Sequence, residues 1–158
     1  MKYDVFYCKS WFRMKKVAIE LWSEAIARSK HLSGDSYTAL IASEVKPTCF
    51  IEFLIDKEMV GVSFLDDSLR EYLSYQFQFV APEKLFLTMA THREFIEGGT
   101  QVAGGTTYIF SQTGDLVIRR ERFNPHLLEE AKSSFDPSRN YESFPAFGEY
   151  SSLIRTDR

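Results

Sequence analysis

Histidine occurs three times in this chain, at 31, 92 and 126, and cysteine twice, at 8 and 49. Two cysteines allow at most one bridge and imply no disulfide framework; a reduced, buried pair is the simpler reading. His31 and His126 stand alone, and no spacing of His, Cys, Asp or Glu matches a metal-binding loop. A metal centre is therefore not expected, and neither is a cofactor. Glycine is sparse and follows no phosphate-loop pattern: Gly98, Gly99, Gly104 and Gly105 lack a following Lys-Ser/Thr pair and read as hinge and turn residues around a mobile loop. No Gly-x-Ser-x-Gly elbow occurs, and neither cysteine has a catalytic signature. No run approaches the ~20 apolar residues that span a bilayer. The opening "MKYDVFYCKSWFRMKK" lacks the apolar core of a secretory signal. Together these absences predict a cytoplasmic protein without a membrane partner.

A large excess of either charge is missing too. Nineteen basic and 22 acidic residues leave a formal net charge of −3, too balanced for a dedicated nucleic-acid binder. Aromatic residues, in contrast, are abundant at 15% of 158 residues, a length that suits one domain spanning 1–158. Aromatics serve both cores and partner surfaces, so composition alone does not divide them.

The hydrophobic pattern changes period along the chain. "KYDVFYC" alternates as a strand, with Tyr3, Val5 and Tyr7 on one face and Asp4, Phe6 and Cys8 on the other. Residues 14–32 predict an amphipathic helix: Met14, Val17, Ala18, Leu21, Trp22, Ala25 and Ile26 recur at three-and-four spacing, and Gly34 supplies a stop. "SYTALIASEV" fits either a strand or a short helix. From Tyr37 onward the period is two, broken at Pro47. "TCFIEFLID" is apolar on both faces, as a central strand is, and "MVGVSFLD" follows after a turn. "REYLSYQFQFV" points Leu73, Tyr75, Phe77 and Phe79 one way and Ser74, Gln76 and Gln78 the other. "KLFLTMATHREF" is another extended run, and "TTYIFSQTGDLVIRRERF" a hairpin turned at Thr113–Asp115. "NPHLLEEAKSSF" reads as a short helix, with Asn124 as cap and Pro125 at its first position. These elements predict an α+β fold, an N-terminal amphipathic helix packed on an antiparallel β-meander. The closing "PAFGEYSSLIRTDR" predicts a tail docked on the fold. Phe147, Tyr150, Leu153 and Ile154 would otherwise form a large exposed apolar patch, while Arg155, Asp157 and Arg158 are expected at its rim.

Candidate sites follow from chemistry. Asp66, Asp67 and Glu71 form an acidic cluster at the start of the best strand, a solvated turn available to a basic partner. His92 and Glu94 lie two apart and share a strand face, where a carboxylate could assist a general base. With Gln76 and Gln78 they would line a pocket in a curved sheet, provided all four converge. "VIRRERF" could contact phosphates, but an edge strand guarded by charge is the plainer account.

The runs "EKLFLTMATHREF", "GTTYIFSQTGDLVIRRERF" and "YESFPAFGEYSSLIR" resemble bacterial immunity proteins of polymorphic-toxin and contact-dependent growth inhibition systems. The resemblance covers roughly positions 82 to 158. It rests on a Leu-Phe-Leu-Thr strand, a Thr-Gly-Asp hairpin and a Pro-x-Phe-Gly tail, none of them mechanistic. It implies a cytosolic, non-enzymatic antitoxin that binds and occludes a cognate protein toxin, frequently a nuclease. Such families diverge fastest at the contact surface, so no binding residue transfers by position. The alternatives are a small-molecule-binding or catalytic pocket protein, and a homodimer or other homo-oligomer using the tail as a swapped arm.

Overall fold

The computed structural model describes residues 3–158. Among these, β1 (Val5–Phe12) and β2 (Val17–Trp22) form a hairpin, followed by the single helix α1 (Glu24–Ser33). Then come β3 (Tyr37–Ile41), β4 (Cys49–Leu54), β5 (Met59–Leu65), β6 (Glu71–Ala81) and β7 (Lys84–Phe95). β8 (Val102–Phe110), β9 (Asp115–Arg122), β10 (Leu127–Ser134) and the short β11 (Tyr141–Ser143) complete one sheet. Its order is β10-β9-β8-β7-β6-β5-β4-β3-β1-β2, with β11 paired to the first residues of β7. Every pairing is antiparallel. Short connections between consecutive strands produce this meander, as hairpins require few residues.

The expected α+β fold with an N-terminal helix is overturned. The chain is mostly antiparallel sheet, and its one helix has ten residues and starts after two strands. The stretch predicted as the first half of that helix is β2, paired with β1 from Tyr7↔Trp22 to Phe12↔Val17. Its apolar residues satisfy both periods, and β-branched Val17 and Ile19 suit a pleated surface. The helix begins where Ser23 accepts a hydrogen bond from the Ile26 backbone N–H (3.2 Å). It ends at Gly34, whose left-handed φ of 72° lets its N–H reach His31 and Lys30 carbonyls. The segment predicted as a helix near Asn124 contains β10, exposed along its whole length. β9, expected as a charged edge, lies one strand in from that edge. Gly104 and Gly105 are strand residues of β8: a Cβ on either would lie 2.8 Å from a neighbouring carbonyl oxygen.

The sheet has two apolar faces. On the inner face Tyr7, Ile51, Phe53, Val62, Tyr75 and Phe77 belong to one large buried cluster. On the outer face a smaller cluster gathers Cys8, Trp11, Leu40, Phe50 and Leu65. β3 and β4 carry apolar residues on both faces because both are covered. Cys8 and Cys49 are free and buried.

Cover for the inner face comes from α1 and the tail. Tyr150 and Leu153 are fully buried. Phe147 stacks on Tyr7 (centroids 5.0 Å apart), Phe144 stacks on His31 (5.5 Å), and the Arg28 guanidinium lies 4.6 Å from the Phe147 ring. Beneath them runs a chain of polar contacts. The Tyr37 hydroxyl lies 2.9 Å from His31 Nδ1 and 3.1 Å from the Tyr150 hydroxyl, which donates to Tyr7 at 3.5 Å. Burial raises the pKa of all three phenols, so they stay neutral and serve as partners for one another.

Candidate functional site: a groove between the sheet and the tail

A groove of about 1100 Å³ opens on the inner face, where α1 does not reach. β6, β7 and β8 form its floor through Tyr75, Leu87, Ala90, Tyr108 and Phe110. The floor follows from register: Tyr75 lies opposite Ala90, and Ala90 opposite Tyr108, so the three side chains share a face. One wall is the 3-10 turn Pro137–Asn140, pinned to β7 because Asn140 Nδ2 donates to the Leu87 carbonyl (3.0 Å). Residues 155–158 of the tail form the other wall.

Charges around this groove are balanced. Glu142 Oε1 accepts from both Arg158 (2.7 Å) and Arg155 (3.2 Å). Arg158 does not lie at an exposed rim as the sequence suggested: its side chain is 6% exposed, with the guanidinium 5.0 Å from the Phe77 ring and 5.6 Å from Tyr75. Arg155 is half-exposed and lies 3.9 Å from Asp157. Asp136 accepts from the Ser138 hydroxyl (2.8 Å) and backbone N–H (3.1 Å), bonds that hold its carboxyl below the usual range. Arg139 completes the set on the 3-10 turn.

The four residues considered for a pocket do not converge. His92 lines the groove, opposite Leu73 and Thr106. Glu94 shares its strand face but lies 3.9 Å from Arg122, away toward β9. Gln76 and Gln78 alternate with Tyr75 and Phe77 and so lie on the opposite face. A bulge at Thr88, whose hydroxyl donates to the Gln76 carbonyl (3.1 Å), preserves one apolar face along β7 across the register shift.

The acidic cluster also divides. Asp66 closes the β5–β6 turn by accepting from the Ser68 and Arg70 backbone N–H groups and from Arg70 Nε (each 2.8–2.9 Å). Partial burial works against its charge, yet those bonds hold its carboxyl below the ordinary range. Glu71 accepts from Ser63 (2.7 Å) and from Arg13 (3.3 Å), which also binds Glu52 (2.6 Å). Only Asp67 is exposed. Among the described residues no His, Cys, Asp and Glu side chains gather to hold a metal ion, and no helix is long and apolar enough to cross a membrane.

Sequence reasoning missed the groove itself, because Tyr108, Arg139 and Arg155 come from three distant segments. The one visible signal was alternation of Tyr108 and Phe110 in a strand otherwise rich in small residues. The chain matches no protein-family model, no curated protein and no solved structure.

Proposed function

We propose that the chain is a non-catalytic binding protein of the immunity type, acting in the cytoplasm to neutralise a cognate protein toxin by occlusion. A segment of that toxin seats in the groove. The observation that carries this reading is the groove's composition. Tyr75, Tyr108, Phe110 and Phe135 lie beside Arg139 and Arg155, and aromatics with arginine are the residues that dominate binding energy between proteins. Rim charges of both signs suit a polypeptide, which carries both. The net charge of −3 favours encounter with a basic partner such as a nuclease.

The test pairs capture with toxicity. The chain is expressed in its native cells, and proteins it retains are identified and expressed alone. The reading requires one that is toxic alone and harmless with the chain. Tyr108→Glu and Arg139→Glu should each weaken its capture at least about tenfold, which is about 1.4 kcal/mol, while the chain stays folded. Groove variants that protect as well as the original would sink the proposal.

A second reading, a small-molecule pocket, draws on the same groove, whose volume of about 1100 Å³ lies just above the range of such sites, about 300–1,000 Å³. Native mass spectrometry separates the two. A stoichiometric bound small molecule, lost on Tyr108→Glu, would favour the pocket.

A further inference from the structure

The sheet ends laterally at β10 and at β2. β10 carries Glu129, Glu130 and Lys132, charges that deter pairing with another chain. β2 carries no such guard over its first three residues. Val17, Ile19 and Leu21 are 48%, 42% and 54% exposed, and Met14 in the preceding turn is 87% exposed. β2 pairs with β1 alone, so the backbone groups of its outer edge have no strand beside them. An extended edge of this kind can accept another strand.

We propose that this strand is β2 of a second copy, paired antiparallel about a two-fold axis at Ala18. Two features of β2 select that occupant. Lys16 and Glu20 both have left-handed backbone, with φ of 55° and 56°, and bracket the extended run Val17–Ile19. That run is centred on Ala18, so a two-fold axis there maps it onto itself. The same axis sets Val17 opposite Ile19 and Lys16 opposite Glu20, each twice. Opposite charges directly across a strand pair are favourable, and like charges are not. A one-residue shift one way sets Glu20 against Val17 and loses both Lys–Glu pairs; the other way sets Glu20 against Lys15 but puts Lys16 against Ile19 and moves the axis off the centre of the extended run. Lys16 Nζ donates to the Ser68 carbonyl (3.1 Å), which uses one of its three donors and leaves two for the partner's carboxylate. An isologous contact of this type closes after two copies. It leaves the groove, on β6–β8, outside the interface, so the inference stands independently of the proposed function.

Sedimentation equilibrium of the full chain tests it. A short strand pair lies at the small end of specific interfaces, so dimers should form with a Kd on the order of 1–100 µM. Ile19→Lys should raise that Kd at least tenfold. Glu20→Lys, which sets Lys against Lys, should raise it at least fivefold, and Lys16→Glu combined with Glu20→Lys should restore it to within about twofold. Glu20→Lys alters an exposed side chain, so it reports even where Ile19→Lys fails to fold. A monomer up to about 500 µM would overturn the proposal, and so would open-ended oligomers, which indicate a β2–β10 contact. A double charge variant as weak as Glu20→Lys alone would refute it equally.

Discussion

β3 is buried from Tyr37 to Ile41, and β10 is exposed from Leu127 to Ser134, although both are antiparallel strands of one sheet with regular ladders. The difference lies in what covers them. β3 sits between β1 and β4, with the tail's Tyr150 and Phe147 against its inner face and Leu40 packed among Cys8, Trp11 and Phe50 outside. β10 has one neighbour and no layer on either face. Its pairing is supported by ion pairs such as Arg119–Glu130 (2.8 Å), a surface contact of a kind that contributes about 0–1 kcal/mol. Backbone ladders are common to the two strands, so burial of side chains separates a strand that holds the fold from one that is carried by it.

The largest effect that would sharpen this contrast is loss of the tail. Ending the chain at Phe144 removes Tyr150 and Leu153, both fully buried, together with Phe147 and Ile154, which pack on the core. Each large apolar side chain contributes roughly 1.5–3 kcal/mol, against a total stability of about 5–15 kcal/mol. The truncated chain should show no cooperative thermal transition and should bind an apolar dye. A sharp melt near that of the full chain would mean that the tail does not hold the inner face.

Single substitutions make the comparison directly. Leu153→Ala should cost about 2–5 kcal/mol in denaturant unfolding, by lost burial plus the cavity left behind. Leu128→Ala on β10, where the side chain is half-exposed, should stay within about 0.5 kcal/mol. Equal costs would break the contrast and show that β10 is covered in solution, which also bears on how the two edges of the sheet are used.

The smallest expected effect concerns pH. Burial against the tail lowers the His31 pKa from its ordinary value of 6.5, and the nearby Arg28 charge lowers it further. The fold therefore favours neutral His31, and unfolding takes up a proton. The contribution is complete above about pH 6.5 and is lost as pH falls through the depressed folded-state value. The melting temperature should decline between pH 7 and 5, and His31→Gln should flatten that decline. An unchanged slope in the variant would assign it to other groups.

Much of the sheet could be read locally. Alternation at Leu73, Tyr75, Phe77 and Phe79 marks β6 and its inner face, and apolar residues on both sides of residues 49–54 mark a central strand. The turn at Thr113–Asp115 is visible in its residue types. Residues 17–22 were not legible, because Val17 and Leu21 fit a helix as well as Val17, Ile19 and Leu21 fit a strand. Pairing with β1 resolves the ambiguity, and that partner lies outside any local window. β10 was hidden for a related reason. Leu, Glu, Ala and Lys favour a helix in isolation, but opposite Arg119 and Arg120 of β9, Glu130 and Glu129 gain cross-strand partners.

Local residue order dictates the alternation of strands such as β4 and β6, the turns between neighbours and the need to bury an aromatic tail, because these depend on residues close in the chain. Only the tertiary structure decided that Gln76 and His92 lie on opposite faces, that Arg158 fills the inner end of the groove, and that Glu71 is engaged by Arg13. Each of those outcomes depends on strand register or on contacts between residues far apart in the chain. A shift of one residue in register exchanges the two faces of a strand without changing its local pattern.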